Sequence, residues 1–204
     1  MTPETRTHRG TPAGRSLPTL LHRFPTLLAL AILGVAPALA EGGTYRAVGS
    51  LTTEDPTFRR AYLNNDGSCS LSAIGTAVHY DVFELVLEAD SAVTDVAAHL
   101  CVGTDFDSVL FFYQFPSGAP GAFDASAPCA RLVAYDDDGC GPASAIGSRD
   151  LPLGVLTIVV ASYANGTTGS YGLTADSDRS PLKTLVFYSG FETRDLETWS
   201  ATRE

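Results

Sequence analysis

From Tyr45 onward short apolar stretches alternate with clusters of Gly, Asp, Ser and Pro, and no long segment repeats its apolar residues at helical spacing. The period-two and β-branched segments predict strands at Tyr45–Leu51, Val78–Leu87, Ala92–Leu100, Val109–Gln114, Arg131–Tyr135, Ser144–Arg149, Val155–Tyr163 and Ser170–Ala175. Ser91–Cys101 is the best rival for a helix, but Val93, Thr94 and Val96 among its alanines favour a strand. Val155–Ala161, "VLTIVVA", is the most apolar run and the candidate central strand, buried on both faces. "ANGTTGSYGL" then reads as a hairpin, with Asn165-Gly166 tolerating positive φ and Tyr171 and Leu173 turned inward on the return strand. Short strands with frequent turn signals over about 135 residues predict an all-β domain, an antiparallel β-sandwich of jelly-roll or Greek-key type. Its expected extent is 41–175. A polar linker over 176–182 and a tail over 183–204 follow.

The first forty residues have a different pattern. Arg6, Arg9, Arg15 and Arg23 make a basic start, Leu27–Val35 a short apolar core, and Ala38-Leu39-Ala40 a small-x-small end. This is the pattern of a signal peptide cleaved after Ala40, and the apolar run is roughly half the ~20 residues of a spanning helix, so a retained anchor is the weaker alternative. The expected location is therefore secreted: extracellular, periplasmic or at the cell surface. No cysteine follows the small residues and no arginine pair precedes the core, which points to general secretion.

Cleavage changes the charge balance. Losing four arginines and one glutamate from a chain of 13 basic and 23 acidic residues leaves nine and twenty-two, a net of −13. Lys183 is the single lysine, so no basic patch exists to displace counterions from a phosphate backbone, and nucleic acid is excluded as a partner. Cys69, Cys101, Cys129 and Cys140 all lie in the exported part, an even set that predicts two disulfides. Cys69–Cys101 with Cys129–Cys140 is the favoured pairing, although a straight strand over Arg131–Tyr135 would hold Cys129 and Cys140 too far apart to bridge unless the chain folds back after the turn. The spacings contain no Cys-x-x-Cys pair and no histidine cluster for zinc.

The order of "GSCSLSAIGTAVHYDVFELVL", "TDFDSVLFFYQ", "FDASAPCARLVAYDDDGCG", "SRDLPLGVLTIVVASY" and "TTGSYGLTAD" resembles exported bacterial β-sandwich modules related to the pre-peptidase C-terminal domains. The resemblance covers Thr57 to Ala175. It implies a non-catalytic module, ordinarily appended to secreted proteases and other exported proteins, with a role in binding, solubility or secretion. Here no catalytic domain accompanies it, and Ala125 stands where the family pattern has proline after Asp124. The tail "FYSGFETRDLETWSATRE" is similar to short segments that close some secreted bacterial proteins, and Phe191 and Trp199 read either as aromatics packed on a sheet edge or as part of a sorting signal.

The candidate chemistry is sparse. Only His79 and His99 remain in the exported part, no serine sits in a Gly-x-Ser-x-Gly elbow, and every cysteine has a partner, so no nucleophile or general base stands out and no enzyme is expected. Glycoside hydrolysis by paired carboxylates is the remaining catalytic alternative. Asp105, Asp107, Asp136, Asp137 and Asp138 are candidate calcium ligands if their loops meet in space, with Asn65 and Asp66 as further donors. They form no EF-hand, because aligning Gly139 with that loop's glycine puts Ala134 and Ala145 at its first and last ligand positions. The competing reading is that they are turn aspartates that cap backbone amides. Tyr113, Phe115, Phe123 and Tyr135 are candidates for a carbohydrate-stacking platform, for which two or more rings would have to be exposed and coplanar. Asn165-Gly166-Thr167 is a glycosylation acceptor only in a eukaryotic secretory route. The expected partner is an extracellular protein or a polysaccharide.

Overall fold

The computed structural model describes residues 42–88, 92–117 and 122–184; the expected signal peptide and the tail aromatics Phe191 and Trp199 lie outside the described residues. The strands are β1 (Gly43–Leu51), β2 (Thr57–Phe58), β3 (Ala61–Leu63), β4 (Cys69–Leu71), β5 (Val78–Leu87), β6 (Val93–His99), β7 (Ser108–Pro116), β8 (Leu132–Asp136), β9 (Ala145–Pro152), β10 (Gly154–Ser162), β11 (Gly169–Ser177) and β12 (Lys183–Thr184). β1, β11, β6 and β9 form one antiparallel sheet in that order, β12, β5, β10, β7 and β8 form a second, to which β2 adds by pairing with β5, and β3 and β4 form a two-stranded third. The eight long strands taken in chain order are arranged 1-8-3-6 in the first sheet and 2-7-4-5 in the second, which is the jelly roll.

The alternation seen in the sequence places the core. Leu51, Val96, Ile146, Leu173 and Ala175 of the first sheet meet Leu85, Leu110, Phe112, Leu156 and Ile158 of the second in one buried layer. The opposite face of the second sheet carries its own apolar layer of Val78, Val109, Phe111, Tyr113, Phe115, Val159 and Ala161. Phe58 of β2 and Phe123 of the β7–β8 connection close over it through edge-to-face contacts with each other and with Tyr80. The second sheet is thus covered on both faces, which is why β7 and β10 are continuous apolar runs. The candidate central strand is β10, lying between β5 and β7. Among the described residues the outer face of the first sheet is uncovered along β1, where exposed Thr44, Arg46, Val48 and Ser50 alternate with half-buried neighbours.

Three expectations change. The segment after β10 is a turn but not a hairpin. Thr167 N–H donates to the Ala164 carbonyl at 3.4 Å and Gly166 has φ 72°, yet β11 pairs in the other sheet, because β5 and β7 already occupy both edges of β10. The disulfides are Cys69–Cys129 and Cys101–Cys140, not the favoured pairing. Cys129 and Cys140 lie beyond opposite ends of β8, and the chain does not fold back. Instead, antiparallel pairing of His99 with Ala145 brings the end of β6 and the segment before β9 together, which joins Cys101 to Cys140. Cys69 starts β4, in the β3–β4 hairpin that reaches over β8. Finally, the polar linker is packed: β11 runs to Ser177, Ser180 is fully buried, and Lys183–Thr184 adds a strand to β5.

Candidate functional site

The register of the second sheet assembles a charged cluster at one of its ends. Ser108 of β7 lies opposite Ser162 of β10, and Leu110 opposite Asp136 of β8, so Asp107, Tyr163 and Asp137 leave their strands side by side. Tyr163 N–H donates to the Asp107 carbonyl at 2.9 Å. Into this group the chain between β2 and β3 inserts Arg60, whose side chain is only 7 % exposed. Its guanidinium carbon sits 3.9 Å from the centre of the Tyr163 ring, Nη1 is 3.4 Å from Asp137 Oδ2, and Nη2 donates to Ser72 Oγ at 3.3 Å. Backbone bonds from Arg60 N–H to the Gly75 carbonyl and from Ser72 N–H to the Arg60 carbonyl, both 2.8 Å, hold it there. Gly75 is small by necessity, since a Cβ there would lie 3.0 Å from Arg60 Cβ and Nε.

The five candidate aspartates divide between this cluster and the capping of backbone amides. Asp136 Oδ1 accepts the N–H groups of Asp138, Gly139 and Ala145 at 3.2, 2.7 and 2.8 Å, and Asp105 Oδ1 accepts that of Ser170 at 2.8 Å. Asp137 contacts Arg60 at 3.4 Å, and Asp107 feels the charges of Asp137, Asp138 and Arg60. Burial, with Asp137 and Asp138 as like-charged neighbours, holds the Asp107 carboxyl above its ordinary range, and Arg60 opposes them. This donor set does not fit calcium: one carboxylate is committed to three amides, another to the backbone at the start of β11, and the cation among the rest is a guanidinium of the chain itself. Among the described residues no three His, Cys, Asp or Glu side chains converge in a metal-holding group. The further donors Asn65 and Asp66 lie in the exposed turn between β3 and β4, where Asp66 Oδ1 accepts Ser68 N–H at 2.9 Å.

The four aromatics considered as a stacking platform do not form one. Tyr113 and Phe115 are buried, and Phe123 and Tyr135 are half-buried against Phe58, Tyr80 and Phe111. Tyr113 donates its hydroxyl to the Pro128 carbonyl at 2.9 Å, and burial raises its pKa well above the tyrosine range. Of the histidines, His79 is buried with Nδ1 3.0 Å from the Asp55 carbonyl, whereas His99 lies on the bare face of the first sheet.

That bare face holds a shallow depression of roughly 450 Å³ lined by Arg46, Val48, His99, Val102, Gly172 and Thr174. Pairing of Arg46 with Thr174, and of Thr174 with His99, sets the three in one row across β1, β11 and β6. Gly172, opposite Val48, leaves the floor open, and its missing side chain lets the loop after β6 close in: a Cβ there would be 2.4 Å from the Val102 carbonyl oxygen. Val48 and Val102 are 91 % and 73 % exposed, the two most exposed large apolar residues described. Sequence reasoning missed both Arg60 and Arg46. "FRRAYL" carried a partial signal for the first, an arginine pair inside an otherwise apolar segment that does not tell Arg60 from Arg59, and none distinguished Arg46 from any other solvent-facing strand residue.

The chain matches no protein-family model, and no curated protein matches it.

Proposed function

We propose that the chain is an exported, non-catalytic β-sandwich module with a structural or interaction role outside the cytoplasm. The observation that carries this reading is how the chemistry-bearing residues are used. All four cysteines are in disulfides, the aspartate triplet is divided between a turn cap and a buried arginine, and His79 is bonded to backbone. What remains among the described residues is a sheet whose outer face is exposed along β1, the kind of surface a binding module presents. The two disulfides suit an oxidising compartment, and no helix among the described residues is long and apolar enough to cross a membrane. The order of motifs shared with the pre-peptidase modules supports the same reading.

The test is to express the full chain in a secreting bacterial host, fractionate the culture, and determine the N-terminus and cysteine pairing by peptide mass mapping. The expected product lies outside the cytoplasm, begins at Glu41 and carries Cys69–Cys129 and Cys101–Cys140. A chain that stays in the cytoplasm, uncleaved and with four free thiols, would contradict the proposal.

A further inference from the structure

We infer that the depression on the bare face of the first sheet binds a neutral glycan through a single uronate unit. This rests on reading the chain as an exported binding module and adds the site and the ligand class.

Arg46 is the only arginine lining the depression, and among the described residues no carboxylate pairs with it. A free guanidinium held on a strand is a ready two-pronged donor for a carboxylate. His99 lies two strands away in the same row. Neighbouring strands are about 4.8 Å apart, so the two side chains flank a space about 10 Å wide with Thr174 at its centre. Cys101 N–H donates to His99 Nδ1 at 3.4 Å, which orients the ring and leaves Nε2 to donate outward. Asp176 borders the depression; its Oδ1 accepts the Thr44 hydroxyl at 2.5 Å, and Oδ2 is left to accept from a ligand.

The site therefore offers an Arg fork for a carboxylate, one acidic acceptor for hydroxyl donors, the Thr174 hydroxyl, and two exposed valines for C–H surface. A uronate ring carries all the matching groups. An acidic peptide supplies the carboxylate without the hydroxyls that Asp176 would accept from. The volume lies in the range of small-molecule sites.

Charge sets the number of carboxylates. Asp95 and Asp150 lie opposite each other further along the same face, and the exported chain carries −13 overall. A polyuronate would place its further carboxylates against this acidic surface, so one uronate on an otherwise neutral glycan is the form the site accepts.

The test uses the exported, oxidised chain in calorimetric titrations with four probes: a disaccharide of glucuronic acid on a neutral sugar, the same disaccharide with the carboxylate reduced to the alcohol, trigalacturonate, and the peptide Gly-Glu-Gly. The uronate disaccharide should bind at least tenfold more tightly than each of the other three. Arg46→Gln should weaken it at least tenfold and His99→Gln about threefold, with unchanged melting temperatures, and Arg149→Gln, an exposed arginine elsewhere on this sheet, should leave it unaltered. Equal binding of the reduced disaccharide or the peptide would overturn the inference, as would no uronate binding at millimolar concentration or an Arg46→Gln protein that binds normally. If any of these occurs in a chain that is nevertheless exported and correctly bridged, the inference fails and the reading of the module stands. A cytoplasmic, reduced chain would instead remove that reading.

Discussion

Replacing Arg60 tests how the acidic end of the second sheet is held together. Arg60→Met keeps most of the buried stem and removes the charge. The guanidinium over Tyr163 at 3.9 Å is worth about 1 kcal/mol or somewhat more in a site this buried. The contact with Asp137 is long, 3.4 Å, and Asp137 is 35 % exposed, so solvent screening reduces it to about 1 kcal/mol. The bond to Ser72 at 3.3 Å adds about 0.5 kcal/mol, and relief of the buried, unbonded Nε returns a similar amount. Arg60→Met should therefore lose about 2 kcal/mol at pH 7, and Arg60→Ala about 4 kcal/mol once its cavity is included. Urea unfolding followed by circular dichroism measures both, and a double-mutant cycle with Asp137→Asn should give a coupling of about 1 kcal/mol. Because Arg60 lowers the raised Asp107 pKa, its removal raises that pKa further. Native protein then binds the proton more readily than unfolded chain, so the deficit of the variant should shrink as pH falls toward 5. A loss under about 0.5 kcal/mol for Arg60→Met, or a deficit that grows on acidification, would refute the account of Arg60 as the internal cation of this cluster.

Because Arg60 already supplies the cation among the acidic loops, the oxidised protein should melt at the same temperature in excess EDTA and in millimolar calcium; a calcium-specific rise would show a metal site that the described geometry does not contain. Gly154 begins β10 with φ 143°, and a Cβ there would lie 2.1 Å from the Phe115 carbonyl oxygen, so Gly154→Ala should cost about 3 kcal/mol in urea unfolding. Between pH 7 and 5 stability should hold or rise, and it should fall once the pH drops below about 4. Burial raises the pKa of Asp107 and of Glu84, so the cost of their charges is relieved as pH falls toward those raised values. Asp66, Asp124 and Asp178 have pKa values lowered from an ordinary 3.8, chiefly by the Ser68 hydroxyl, the Ser126 hydroxyl and the Asp95 N–H respectively, and their contribution is lost as pH passes below that value. A steady decline from pH 7 would contradict this assignment.

The long strands were legible because each has a period-two or continuous apolar signal that depends only on which faces are covered. Val78–Leu87 matches β5 at both ends, and β10 read as central because apolar layers lie on both its sides. The short strands β2, β3, β4 and β12 carry too few residues to show a period, and they exist because the covered sheet offers edges and an outer face to pair with or pack on. The disulfide pairing was not legible for the same reason. Cys101–Cys140 follows from β6 pairing with β9, a contact between sequence-distant segments that only the jelly-roll order creates. Turn chemistry at Asp136 could be read locally, since Gly139 three residues on signals a capped turn. The partner of Asp137 could not, because Arg60 is 77 residues away and reaches it only through the layer that covers the second sheet.

The proposal that oxidation completes this fold, as an exported module requires, is tested most directly by melting the oxidised protein before and after reduction. The bridges close separations of 60 and 39 residues, each worth about 4 kcal/mol by chain entropy, together comparable to the ~5–15 kcal/mol of a whole domain. Excess thiol should abolish the cooperative transition or lower its midpoint by at least about 20 °C. A reduced protein that melts within a few degrees of the oxidised one would contradict the account.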